Sequence, residues 1–85
     1  MAVSLAEVLE HLVKGIATLP DEVRVTGRDT SRGELLEVRV DPSDLGRVIG
    51  RGGRTAQSLR TVIAALSDGR RVRIDVVDTD AEAEA

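Results

Sequence analysis

Apolar residues at Leu5, Val8, Leu9, Leu12, Val13 and Ile16 recur every three or four positions, which sets them on one face of a helix. Ser4 with Glu7 three residues on has the order of a capping box, and Val3 and Val8 stand where a hydrophobic staple packs. Glu10, four residues before Lys14, reads as a supporting surface pair. The segment Leu19, Pro20, Asp21 ends the element. The period then changes to two. Val23 and Val25 alternate with Arg24 within 22–28, and Leu36, Val38 and Val40 alternate within 34–40. Two short strands are expected there, joined as a hairpin by the five polar residues 29–33.

Asp41 and Pro42 open the next helix, with proline at its first position and Asp44 in its first turn. That short helix runs to Ile49. A further apolar series, Ala56, Leu59, Val62, Ile63 and Leu66, predicts a helix over about 54–66. Ser67, Asp68 and Gly69 stop it, with Gly69 suited to a left-handed C-terminal position. Val72, Ile74 and Val76 then alternate within 71–77 as a last strand. The order is α-β-β-α-α-β. Two helices separate the last two strands, a crossover long enough to bring them in parallel. The expected class is α+β: a three-stranded mixed sheet with the helices packed on one face. One domain is expected over 1–78. Residues 79–85 continue an alternation of acids with alanine or threonine that has no hydrophobic face, and are expected to form a flexible acidic tail.

The stretch between the second and third helices carries the chemistry. Leu45 to Thr55 holds four of the eight glycines and three arginines, and no acid interrupts it. Gly50 and Gly53 bracket a two-residue tip, Arg51 and Gly52. Glycine leaves no side chain to block a close approach by another backbone. The third helix begins beside the tip, so its free N–H groups and positive dipole end face whatever docks there. Arg47, Arg51 and Arg54 add charges that fork onto phosphate oxygens. A bare helical turn needs one glycine, and this one has three in four residues. Contact with a sugar-phosphate backbone is the favoured reading.

Composition narrows the ligand. Phe, Trp and Tyr are absent, so aliphatic residues supply the whole core of this 85-residue chain. The same absence disfavours recognition of single strands by stacking bases on rings, as RRM and OB modules do. Base contacts fall instead to aliphatic side chains, backbone groups and arginine faces. The formal net charge is −3, but its distribution matters more than its sum. From Gly46 to Leu66 there are four arginines and no acid, and from Ile74 to Ala85 there are five acids and no base.

Other classes fit less well. Without cysteine there is no disulfide framework, thiolate metal site or thiol nucleophile. His11, the one histidine, flanks the apolar stripe of the first helix and has no evident partner, and no acid–base or metal-ligand cluster appears, so no enzyme and no cofactor is expected. A Walker A loop needs Gly-Lys followed by Ser or Thr, and Lys14 is the only lysine. A dinucleotide fingerprint follows a strand, whereas this loop follows a helix. No stretch is long enough to cross a membrane and no secretory leader is evident, so a cytoplasmic location is expected. A helix-turn-helix reader of duplex DNA stays open as an alternative, with Gln57, Ser58 and Arg60 as its base-reading side chains.

The run from Val48 to Gly53, Val-Ile-Gly-x-x-Gly between two helices, resembles the KH domain, whose GXXG loop clamps about four nucleotides of a single strand. Its flanks, Asp44 to Arg47 and Gly53 to Ala56, look like the small stand-alone bacterial KH proteins of the KhpA type. This resemblance implies the type II topology and a single-stranded RNA ligand. The implied RNA-binding residues are Arg47, Val48, Ile49, Gly50, Arg51, Gly52, Gly53, Arg54 and Thr55, beside a base groove floored in part near Val40, Val48 and Ile49, although on the residues alone Val48, Ile49 and the aliphatic face of the third helix read mostly as core. It also implies pairing, as a homodimer or with a KhpB-type partner, and a post-transcriptional or RNA-chaperone role linked in some bacteria to cell elongation and division. Where the KH pattern often has isoleucine this chain has Ala56, a shallower apolar wall. A KH fold that serves chiefly to dimerise is the other alternative. Arg28, Arg32 and Arg39 read as solvated, with one of them a candidate for the groove edge.

Overall fold

A computed structural model describes residues 4–77. The first helix, α1, covers Leu5–Ile16, and Ser4 caps it by accepting the Glu7 N–H at 3.2 Å. The staple partner Val3 lies outside the described residues. Leu5, Leu9 and Val13 are buried, as the stripe requires. Glu10 pairs with Lys14 at 3.5 Å and also accepts the Val25 N–H at 3.3 Å, so this surface acid ties the helix to the sheet.

The sheet has three strands, β1 (Arg24–Thr30), β2 (Gly33–Arg39) and β3 (Val72–Val76), in that spatial order. β1 and β2 are antiparallel, while β2 and β3 are parallel with Leu36 opposite Ile74. The hairpin is tighter than the polar run 29–33 suggests. Thr30 pairs with Gly33, leaving Ser31 and Arg32 as the connection. Thr30 Oγ1 accepts the Arg32 N–H at 3.1 Å and donates to the Gly33 carbonyl at 2.7 Å, so polar residues close the turn while remaining in strand geometry. Gly33 has φ of 104°, and a side chain there would strike the Arg71 backbone.

Side chains alternate across the sheet. Val25, Leu36, Val38, Ile74 and Val76 share the inner face, against which α1 and the third helix pack. The outer face carries Arg28 and Arg39, which approach Glu37 at 3.6 and 3.9 Å. Both therefore sit on the side away from the helices and edge no groove between helix and sheet. The core is wholly aliphatic, centred on Leu9, Leu36, Val38, Val48 and Ile63. A fully buried side chain of this kind contributes about 1.5–3 kcal/mol.

Asp41 accepts the Ser43 N–H at 3.0 Å, but Pro42–Asp44 forms a 3-10 turn and the second helix, α2, covers only Leu45–Ile49. Asp44, expected in the first turn, is there and is 1 % exposed. Its carboxylate accepts the Thr18 N–H at 3.0 Å, the Thr18 hydroxyl at 2.7 Å and the Leu19 N–H at 3.0 Å. A five-residue helix has no independent stability. Asp44 stitches its start to the segment following α1. The third helix, α3, covers Arg54–Leu66, and Gly69 follows it at φ of 81°.

Candidate nucleic-acid interface

α2 ends because Gly50 turns to φ 79° and ψ 169°, its N–H still donating to the Gly46 carbonyl at 2.8 Å. Arg51–Gly53 then makes a single 3-10 turn before α3. Gly52 and Gly53 both have left-handed angles, φ 63° and 79°. The three glycines do different jobs. A β-carbon on Gly50 would lie 2.7 Å from the Thr55 nitrogen and would overlap the Thr55 side chain, so bare backbone lets the loop fold onto the first turn of α3. At Gly52 and Gly53 a β-carbon would meet nothing within 4 Å. There the loop presents open, side-chain-free backbone to solvent.

Gly53 also provides no side chain to cap α3, unlike Ser4 on α1. The first N–H groups of α3 are thus without a side-chain acceptor, and they point outward with the positive end of the dipole. Arg47, Arg51 and Arg54 are exposed around this tip, with Arg60 further along α3. Arg51, Arg54 and Arg60 form no ion pair among the described residues. Hydrogen bonds from the Thr18 backbone and hydroxyl hold the Asp44 carboxyl below its usual 3.8, against the opposing effect of burial. The Leu19 N–H and the Arg47 charge add to that lowering.

A groove of about 580 Å³ opens between α3 and β3. Gln57, Arg60, Thr61 and Ala64 line the helix side, Val72 and Arg73 the strand side, and Ile63 and Ile74 contribute to its lining. Its lining mixes aliphatic side chains with polar ones, and each wall carries one arginine. Val40 and Val48 are buried, at 3 % and 0 % exposure, as the core reading of these residues requires, and neither lines this groove. Of the implied binding residues, Val48 is therefore beneath the loop, holding it to the core. Ile49 is 37 % exposed, Thr55 is half-buried, and the glycines and arginines surround the tip. Gln57, Arg60, Thr61 and Ala64 recur at helical spacing next to the buried stripe. That pattern is visible in the chain, but the groove needs β3 beside it, and the pattern does not say which strand lies there.

The family model for the KH domain of KhpA and KhpB matches residues 6–77, which takes in every element described and the loop at their centre. The chain belongs to the KhpA/KhpB KH-domain family. It is 66 % identical over 74 residues to the RNA-binding protein KhpA of Leifsonia xyli subsp. xyli, covering 87 % of this chain and 97 % of that one. The RNA-binding protein KhpA of Streptomyces coelicolor is 62 % identical over 76 residues, covering 89 % and 95 % of the two chains. That of Mycobacterium tuberculosis strain H37Rv is 54 % identical over 80 residues, covering 94 % and 99 %. No solved structure is a significant match. The KhpA/KhpB match spans the GXXG loop and the α3–β3 groove alike, so both features lie inside the family domain rather than in an appendage.

Proposed function

We propose that this protein binds single-stranded RNA, gripping the sugar-phosphate backbone at the glycine loop and laying bases over the α3–β3 groove. The observation that carries the reading is the open left-handed backbone at Gly52 and Gly53, ringed by Arg47, Arg51 and Arg54 at the uncapped start of α3. Ile49, Gly50 and Thr55 complete the contact surface, and Val48 supports it from the core. The related proteins named RNA-binding protein KhpA agree with this ligand. Without rings to stack on, each base contact is weak, so affinity is modest and sequence preference loose.

Tight binding then comes from several copies or a partner on one RNA. Val62 and Leu66, four residues apart on α3, are 43 % and 47 % exposed, which favours pairing through that helix with a second copy or a KhpB-type protein. In the cell the protein acts in the cytoplasm as a post-transcriptional regulator or RNA chaperone. A short single-stranded RNA and a duplex DNA of equal length, titrated at one fixed salt concentration, test the ligand class. The single strand binds more tightly on this account, because paired bases cannot turn into the groove. Tighter duplex binding that depends on Gln57 and Arg60 would favour the helix-turn-helix alternative instead.

A further inference from the structure

The helices cover one face of the sheet and leave the other open. The pairing register gives that outer face four arginines, Arg24, Arg28, Arg39 and Arg73, against two acids, Glu37 and Asp75. Leu35 is the one aliphatic side chain that β1, β2 and β3 turn outward, and it is half-buried. The face is therefore basic in a chain whose formal charge is −3. It has too little apolar area to hold a protein partner by burial, so its charge complements a polyanion.

The arginines are not neutralised by one another's neighbours. Arg28 and Arg39 approach the two oxygens of a single carboxylate, Glu37, at 3.6 and 3.9 Å. One negative charge between two positive ones leaves the trio cationic, and ion pairs this long at a surface hold weakly. Arg24 donates to the Asp21 and Val23 carbonyls at 2.9 and 3.0 Å, which orders its guanidinium without cancelling its charge. Arg73 makes no ion pair among the described residues. Leu35 lies opposite Arg73 on one side and Arg28 on the other, so these residues form one row across the sheet. That row is about 10 Å from end to end at the usual strand spacing, a span of roughly three nucleotides.

Arg73 joins this face to the groove. It stands on the edge strand β3 and also lines the α3–β3 groove. A strand that lies in the groove and crosses the β3 edge therefore leaves at Arg73 and meets Arg28 and Arg39 beyond it.

We propose that the open face of the sheet is a second RNA-contacting surface, which holds phosphates of the strand where it runs on past the groove. This rests on the RNA-binding reading above. Glu37 competes with those phosphates for Arg28 and Arg39 and so limits the grip. Contacts to phosphates carry no sequence information, so the face adds affinity for longer strands without changing which bases are preferred.

The test uses labelled single-stranded oligouridine of two lengths. One has about five nucleotides, enough for the loop and groove; the other has about fifteen, enough to continue over the sheet. Wild type, the double variant Arg28→Gln, Arg39→Gln and the single variant Glu37→Gln are titrated with both at low and high salt, and cooperative unfolding is followed in each. The arginine variant should bind the long strand about fivefold to tenfold more weakly at low salt, with its log–log salt slope reduced by about 1.4 in magnitude. It should bind the short strand as wild type does. Glu37→Gln should bind the long strand about twofold to fivefold more tightly, with the short strand again unchanged. Misfolding does not produce such a gain. Equal long-strand affinities in these proteins would overturn the proposal, leave the RNA reading intact and mark the face for a protein partner. Equal changes at both lengths would overturn it too, revealing a diffuse field in place of a contact. If wild type binds neither strand, the RNA reading itself falls and this surface falls with it.

Discussion

Gly50 and Gly52, two positions apart, show one residue type serving two ends: one packs, the other exposes. Gly50→Ala combines left-handed strain with a collision against Thr55, so a loss of about 2–4 kcal/mol is expected in urea unfolding. Gly52→Ala faces open space and carries only the conformational strain, about 1–2 kcal/mol. Equal losses at the two positions would contradict the assignment. Asp44 is the other informative residue. Its carboxyl is held below 3.8 in the folded protein, chiefly by the Thr18 hydrogen bonds. The unfolded chain therefore takes up the proton first, and the stabilisation is full above that value and lost as pH falls through the folded one. Unfolding midpoints measured between about pH 6 and pH 2 should fall at the acid end in wild type. Asp44→Asn should lower the midpoint at neutral pH and flatten that acid fall.

At the scale of elements, the groove makes the sharper claim. Ala64→Glu puts a carboxylate on the helix wall of the groove at an exposed position, whereas Ser58→Glu adds the same charge to α3 at a position that does not line it. RNA affinity should fall several-fold for Ala64→Glu and far less for Ser58→Glu, with both variants within about 0.5 kcal/mol of wild-type stability. Matching losses would mean that net charge, not the groove, governs binding. The helices were legible in the sequence because their apolar stripes and caps are local: Ser4 before α1 and Gly69 after α3 are where the pattern expects them. The hairpin was less so. Thr30 and Asp29 look like turn residues by composition, yet they continue β1 because an exposed edge strand tolerates polar side chains and Thr30 satisfies the turn's own hydrogen bonds. The burial of Asp44 was not legible for a related reason. Its partners, Thr18 and Leu19, are 26 and 25 residues away, and no local pattern reports them.

For the whole molecule, a net charge of −3 is compatible with RNA binding only because the charges are segregated. Few arginines reach the strand, so about two to four phosphates are neutralised and a log–log salt slope of about −1.5 to −3 is expected. Arg47→Ala or Arg54→Ala should weaken binding alike for unrelated sequences and lower the slope by roughly one contact. The loop itself was legible from its glycines and arginines alone, since both its geometry and its charge reside in consecutive residues. The groove was not, because it is made by α3 and β3 together; Val48, read on its residues as core, is buried as that reading requires. The most direct measurement is an RNA titration of wild type against the double variant Arg51→Asp, Gly52→Asp, with cooperative unfolding followed in both. Lost RNA binding in a variant that still unfolds cooperatively is the expected result; undiminished binding by that folded variant would contradict the account.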